Sequence, residues 1–281
     1  MRTFKTYTLT KLKKKEEGAG LAPAPIHFKH IEELSSIEPK GVMPTAVHFK
    51  NILTDKKQKL NEAKAQDFRA WMKDRSDNAH LSKKKFDRDV HNKEVADKLH
   101  STNNFSAEHL KHITKYTGDP DNDGVAVSSQ LNKSLIKNKG EPSKAHKKTT
   151  EGLSHAIENN KLNHEVHVYS GTSFDPREHI DKKGKLKSHA FISATHDKEI
   201  AAGYAQKAAQ NRGSYSSGHI MKIHLKPGDP ATHVGRHSYY NGEHETVINR
   251  NTTLKHEKTT SHWSPGEERY YHIHHMSVAK D

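Results

Sequence analysis

The sequence predicts an α+β domain, and three observations carry that reading. Apolar residues recur at helical spacing between residues 105 and 157. Beyond about residue 164 the period changes to two, and one alanine-rich helical stretch interrupts the alternating segments. Helices first, with short antiparallel-looking strands after them, indicate helices packed against a sheet-built core.

In chain order, Ser106 is a good N-cap, with Phe105 before it and Leu110 placed to form a hydrophobic staple. That helix carries Leu110 and Ile113 and stops near Tyr116-Thr117-Gly118. A second helix is expected from Asp123 or Gly124, with Val127, Leu131 and Leu135 on one face, and a third after Thr149 or Thr150, burying Leu153, Ala156 and Ile157. Alternation predicts strands at 165–170, 190–195, 219–225, 246–254 and 270–278. The interrupting helix spans 197–211 and is closed by Gly213.

The first hundred residues are harder to read. Residues 1–15 suit a short basic helix, and Gly and Pro make 18–25 a linker or processing site. Thr54-Asp55 is placed to cap a helix with Leu60, Phe68, Trp71 and Met72 as its stripe, and 74–88 reads as a charged break. We therefore expect a basic, mostly helical or flexible extension over 1–104 and the α+β domain over 105–281.

Composition narrows the function. The chain has 281 residues, 31% of them hydrophobic, and its formal net charge is +13. Its mean hydropathy is -1.02. Such a balance favours contact with nucleic acid or acidic surfaces without implying base recognition. There is no cysteine, which excludes disulfides, thiolate catalysis and cysteine-ligated zinc. No stretch has the length of a membrane span or the apolar run of a secretory signal, so a protein acting in the cytoplasm, with no membrane partner, is expected. Among the 25 histidines, His272-Ile273-His274-His275 alternates on a strand, but no carboxylate is evident nearby. We expect strand-surface histidines and no metal.

Chemistry concentrates in Tyr239-Tyr240-Asn241-Gly242-Glu243-His244-Glu245, an aromatic turn running into a strand. Alternation would put Glu243 and Glu245 on one face at the strand entrance. Taken alone, such a pair is most often a solvated acidic turn. Two upstream strands change its meaning. Val166-His167-Val168-Tyr169-Ser170-Gly171-Thr172 ends at a small polar residue and a glycine, and Phe191-Ile192-Ser193-Ala194-Thr195 places Phe191, Ser193 and Thr195 on one face.

In order and spacing these pieces resemble the arginine-directed mono-ADP-ribosyltransferases, with their Arg, Ser-x-Ser/Thr and Glu-x-Glu signature. The similarity covers roughly 105–278 and includes Lys115-Tyr116-Thr117-Gly118, Leu131-Asn132-Lys133-Ser134-Leu135 and the Pro227-Gly228 turn. It also resembles the T-even-type bacteriophage ADP-ribosyltransferases. The resemblance implies two packed, mainly antiparallel sheets with a helical lead-in and NAD, as substrate, in the cleft between them. It implies that Glu245 stabilises the oxocarbenium-like ribose left when nicotinamide departs, that Ser193 holds Glu245, and that Thr195 and Phe191 line the pocket. Glu243 would orient an incoming guanidinium and take its proton, and Tyr239 or Tyr240 would contact the target protein.

One departure stands out. The family's first strand usually ends in aromatic-Arg-Gly, and that arginine grips the dinucleotide. Here Ser170 occupies the position before Gly171, and it supplies no charge. Arg177 and Arg212 are the candidates to reach in. Two rival readings are an NAD glycohydrolase and a non-enzymatic basic virion or DNA-binding protein with a decayed transferase fold.

Met1-Arg2-Thr3-Phe4-Lys5-Thr6-Tyr7 is similar to the leader of internal head proteins in the same phages, and Ile31-Glu32-Glu33 and Leu60-Asn61-Glu62 fit the pattern cut by the prohead protease. That similarity implies a protein packaged with phage DNA and acting in the host cytoplasm on RNA polymerase or translation proteins.

Overall fold

The structure is a computed structural model that describes residues 66–280, apart from 83, 85, 86, 102, 119–125, 214 and 215. The expected features at 1–15, 18–25, 31–33, 54–55 and 60–62 and the expected helix start near Asp123 or Gly124 lie outside the described residues.

Six α-helices and nine strands make up the described chain. A short strand β1 (Gln66–Asp67) leads into α1 (Phe68–Lys73), and α2 (Arg88–His100), α3 (Ala107–Thr117), α4 (Val127–Lys137) and α5 (Lys147–Asn159) follow. Ser106 caps α3 as expected. Its hydroxyl accepts from the His109 N–H at 3.2 Å, and His109 Nδ1 accepts from the Ser106 N–H. The start of α5 departs from expectation. Thr149 and Thr150 are buried inside the helix rather than capping it, because packing against α3 claims that face. Ile113, Tyr116, Leu131, Leu135, Leu153 and Ile157 form one core of these helices with Val247 of the sheet and Phe191, just before the strand at Ile192–Thr195.

The strands β2 (Val166–Thr172), β3 (Lys185–Lys187), β4 (Ile192–Thr195), β5 (Gly218–Leu225), β6 (Ala231–His233), β7 (Glu245–Ile248), β8 (Thr253–Ser264) and β9 (Arg269–Val278) join β1 in a single hydrogen-bonded sheet. The order is β1-β8-β9-β5-β2-β4-β7-β6, with β3 paired to β8, and only β5–β9 and β1–β8 run parallel. Thus the α+β class and the mainly antiparallel pairing hold, whereas the two separate sheets expected are one. The join is narrow. β2 pairs with β5 from Val166 to Thr172, but with β4 only through Tyr169 and Thr195. The segment expected as one strand over 246–254 is also two strands. Asn251 takes a left-handed φ of 62°, and Thr252 Oγ1 donates to the Asn249 carbonyl at 2.6 Å, so the chain turns between β7 and β8. Asparagine tolerates that conformation, which the alternating pattern conceals.

Helix α6 (Lys198–Arg212) lies against β2. Asp197 caps it, accepting from the Glu199 N–H at 2.9 Å, and Gly213 ends it. Ala201, Ala202, Ala205 and Ala209 form its buried face. The approach is so close that a Cβ at Gly171 would lie 2.5 Å from the Ala201 carbonyl oxygen and 2.6 Å from the Ala205 nitrogen. Both are backbone atoms and cannot rotate away. Gly171→Ala is therefore expected to cost about 1–3 kcal/mol through overpacking, seen as a lower Tm in thermal unfolding.

The described residues between 66 and 104 pack against the same sheet. Phe68 stacks on Tyr271 with ring centroids 3.8 Å apart, and Leu81, Val95 and Leu99 join the largest core, beside Val166, Val168 and Ile223. An ionic cluster around the buried Lys198 ties this segment down: Lys198 Nζ lies 2.9 Å from the half-buried Asp77, whose other partners are Lys222 and the Tyr169 hydroxyl. The interval 74–88, expected as a charged break, thus supplies a half-buried anchor. No helix among the described residues is long and apolar enough to cross a membrane.

Candidate active site

Where β4 leaves β2, the sheet opens into two adjoining cavities. The first, of about 320 Å³, is lined by Ser170 and Gly171 of β2, Ser193 and Thr195 of β4, Tyr204 of α6, and Tyr240, Glu243 and Glu245. The second, of about 510 Å³, shares Ser170, Gly171 and Ser193 and continues along Phe174, His179, Lys187, His189 and Phe191. The sheet join thus separates two parts of one cleft.

Glu245 is the first residue of β7 and is only 8% exposed. Burial pushes its carboxyl above the ordinary range, opposed by hydrogen bonds from Ser193 and Ser238 and reinforced by the charge of Glu243. The Ser238 hydroxyl donates to Oε2 at 3.0 Å. Behind Ser193 stands a further hydrogen-bonded set. Asn132 Nδ2 donates to the Tyr116 hydroxyl at 3.1 Å, and that hydroxyl meets Ser193 Oγ at 3.1 Å. Because Tyr116 accepts from Asn132, its own proton is available to Ser193, which leaves the Ser193 proton for Glu245. Burial and the nearby Glu245 charge push the Tyr116 phenol up to about 12, so it stays a neutral donor.

Glu243 reaches the same cavity by a different route from the one expected. It ends a 3-10 turn (Asn241–Glu243), His244 is left-handed at φ 50°, and the strand begins only at Glu245. The two glutamates therefore converge through a kink in the backbone rather than through strand alternation. The Tyr204 hydroxyl donates to Glu243 Oε1 at 2.7 Å, and that bond together with burial raises the phenol pKa.

The other expected site residues separate into those in the cleft and those outside it. Ser170 lines both cavities, and its Oγ donates to the Ser193 carbonyl at 2.9 Å, bracing β2 against β4. Thr195 lines the first cavity, but its Oγ1 accepts from the Asp197 N–H at the start of α6. Phe191 is buried against Tyr116, with centroids 5.6 Å apart, and walls the second cavity. Tyr240 lines the first cavity, whereas Tyr239, 53% exposed, does not. Arg177 lines neither cavity, because its guanidinium grips Asp175, two residues away, at 2.6 Å. Arg212 is likewise absent from the lining and donates to the Ser217 carbonyl. The basic side chains in the wall of the larger cavity are instead Lys187, His179 and His189.

Sequence reasoning missed Tyr204, Ser238 and the roles of Tyr116 and Asn132. The last two stand inside the helical motifs quoted above, and Tyr204 is the one aromatic side chain within an alanine-rich helix. Those were the available signals. The histidine reading also needs correcting: His274 is fully buried, and Asp175 is a carboxylate close to it.

Comparison with known proteins agrees with this geometry. Residues 83–276 match the family described as ADP-ribosyltransferase exoenzyme. No curated protein matches the sequence. Among solved structures, the chain is similar to the ADP-ribosylating toxin BECa of a binary enterotoxin of C. perfringens, at 14% identity and a TM-score of 0.52, covering 69% of this chain and 49% of that one. It is also similar to the enzymatic component C2-I of the C2 toxin of Clostridium botulinum, at 15% identity and a TM-score of 0.51, covering 68% and 48%. The match thus spans about half the length of those two toxin chains. The likeness establishes the ADP-ribosyltransferase fold, and the matched residues run from α2 to β9. The chain belongs to the ADP-ribosyltransferase exoenzyme family, whose members are transferases using NAD.

Proposed function

We propose that the protein transfers ADP-ribose from NAD to arginine side chains of target proteins. The observation that carries this reading is the convergence of Glu245 and Glu243 on one cavity, with Ser193 and Ser238 holding the first and Tyr204 the second. In the proposed reaction the nicotinamide–ribose bond breaks, its electron pair leaves with nicotinamide, and the Glu245 carboxylate stabilises the positive ribose. The acceptor guanidinium attacks the anomeric carbon, and Glu243 takes the proton it must lose. Tyr240, at the cavity wall and 46% exposed, is placed to meet the acceptor protein. Proteins of a bacterial host, such as RNA polymerase or translation factors, remain the proposed targets, and the basic character of the chain suits travel with phage DNA.

The test uses purified protein, labelled NAD and bacterial lysate, with mass spectrometry of labelled peptides. ADP-ribose on arginine supports the proposal. Label on another residue type would overturn arginine specificity, and free ADP-ribose without labelled protein would indicate a glycohydrolase.

The missing arginine has a structural consequence. With Ser170 in its place, we propose that the pyrophosphate of NAD lies towards Lys187 in the larger cavity. Ser170→Arg is expected to tighten NAD binding and Lys187→Ala to weaken it, each by about 1–2 kcal/mol, the range of a charge-assisted hydrogen bond. Calorimetric titration with NAD reads both. Unchanged affinity in Ser170→Arg would mean that the phosphates pass elsewhere.

A further inference from the structure

Two histidines and a carboxylate meet at a point that lines neither cavity of the cleft. His219 of β5 pairs in register with His272 of β9, and His274 lies two residues further along β9. The side chains of His219 and His274 therefore emerge on one face of the sheet. Asp175, in the loop after β2, caps that face. His219 Nδ1 and His274 Nε2 are 3.1 Å apart, and Asp175 Oδ1 is 3.8 Å from each. Metal–ligand bonds of 2.0–2.2 Å in tetrahedral geometry place neighbouring ligand atoms about 3.4 Å apart, so the observed triangle needs shifts of only a few tenths of an ångström.

We propose that Asp175, His219 and His274 form a binding site for a divalent first-row transition-metal ion of the zinc type. The donor set supports this: two imidazoles and one carboxylate suit such ions, and three protein ligands leave a fourth position for water. Both histidines are buried, His274 completely. Neutral imidazole is the form that ligates metal. The surrounding hydrogen bonds also fit. His274 Nδ1 meets Thr259 Oγ1 at 3.1 Å, which fixes the ring and turns Nε2 towards the site. Arg177 also holds Asp175, its Nε donating to Oδ1 and Oδ2 at 3.0 Å and its Nη2 to Oδ2 at 2.6 Å, which leaves the second lone pair of Oδ1 for the ion. A bound ion would pin the loop carrying Ser173 and Phe174, which walls the larger cavity, to β5 and β9.

The chain has 25 histidines, so the test must separate this site from weak binding elsewhere. Tag-free protein is titrated with Zn²⁺ by calorimetry and with Co²⁺ by visible absorption, beside Asp175→Asn and His219→Gln. The wild type is expected to take up one tight equivalent, to show the intense ligand-field bands of a four-coordinate Co²⁺ centre, and to gain thermal stability with Zn²⁺. Each variant should bind roughly 100-fold more weakly or worse, beyond the 10–100-fold effect of losing an outer hydrogen bond. Equal affinity and stoichiometry in wild type and variants would overturn the site and assign binding to other histidines. Should His219→Gln fail to fold, Asp175→Asn carries the test, because Asp175 lies in a loop and the change preserves its shape.

Discussion

Glu245→Gln is expected to lower the rate of NAD cleavage about 10²–10³-fold while leaving NAD binding nearly unchanged. Glutamine keeps the size of the side chain, and its carbonyl oxygen can accept from one serine while its NH2 donates to the hydroxyl oxygen of the other, so the cavity is preserved. What it removes is the negative charge facing the developing cation. The same substitution is expected to raise Tm at neutral pH. The folded-state pKa of Glu245 is raised by burial, so its contribution to stability is fully present below the ordinary carboxylate pKa and is lost as pH rises through the higher folded value. Above that value the wild type carries a buried charge that the glutamine variant lacks. The Tm difference should therefore shrink as the solution is acidified, and thermal melts at several pH values check it. Wild-type activity should show an acid limb displaced above the ordinary glutamate range, because the ionised form does the work. A variant that loses both activity and stability would instead mean that Glu245 is a packing residue.

Much of the fold follows from local rules, and those parts were legible. Ser106 and Asp197 cap helices because a short side chain can satisfy a free backbone N–H wherever the chain leaves extended geometry. Leu131, Leu135, Leu153 and Ile157 are buried as their spacing requires. The site was legible to the extent that its residues sit on regular strands: Ser170 and Ser193 stand where alternation puts them. Glu243 is the counterexample, since a left-handed His244 carries no signal as plain as a glycine would. The break at Asn251 hid for the same reason. Arg177 shows a different limit. The expectation that it reaches the cleft neglected Asp175, a closer partner, and the local ion pair prevails because it requires no ordering of a longer reach. Tyr204 and Asp175 act across long sequence separations, through helix-on-sheet and loop-on-sheet contacts, and Ser238 reaches Glu245 across an irregular turn; no period encodes either.

Glu243→Gln is expected to separate the two halves of the reaction. Glu243 stands at the end of its turn, less buried than Glu245, with one carboxylate oxygen held by Tyr204. That leaves the other oxygen to accept a charge-assisted hydrogen bond from an incoming guanidinium. An arginine is protonated in water and becomes a nucleophile only if a base takes a proton as the bond forms. Glutamine can orient a guanidinium weakly but cannot accept that proton. Transfer to protein should therefore fall about 10²–10⁴-fold, the range for loss of a general base. NAD cleavage should persist within a few fold, since Glu245, Ser193 and Ser238 are untouched and water can replace the acceptor. Measuring nicotinamide release and protein labelling in the same reaction distinguishes the outcomes. Parallel loss of both would place Glu243 on the NAD side of the chemistry and remove the main support for an arginine acceptor. Retained labelling would show that another group takes the proton. Tyr204→Phe should fall between wild type and Glu243→Gln, because it leaves the base in place and removes only the hydrogen bond that aims it.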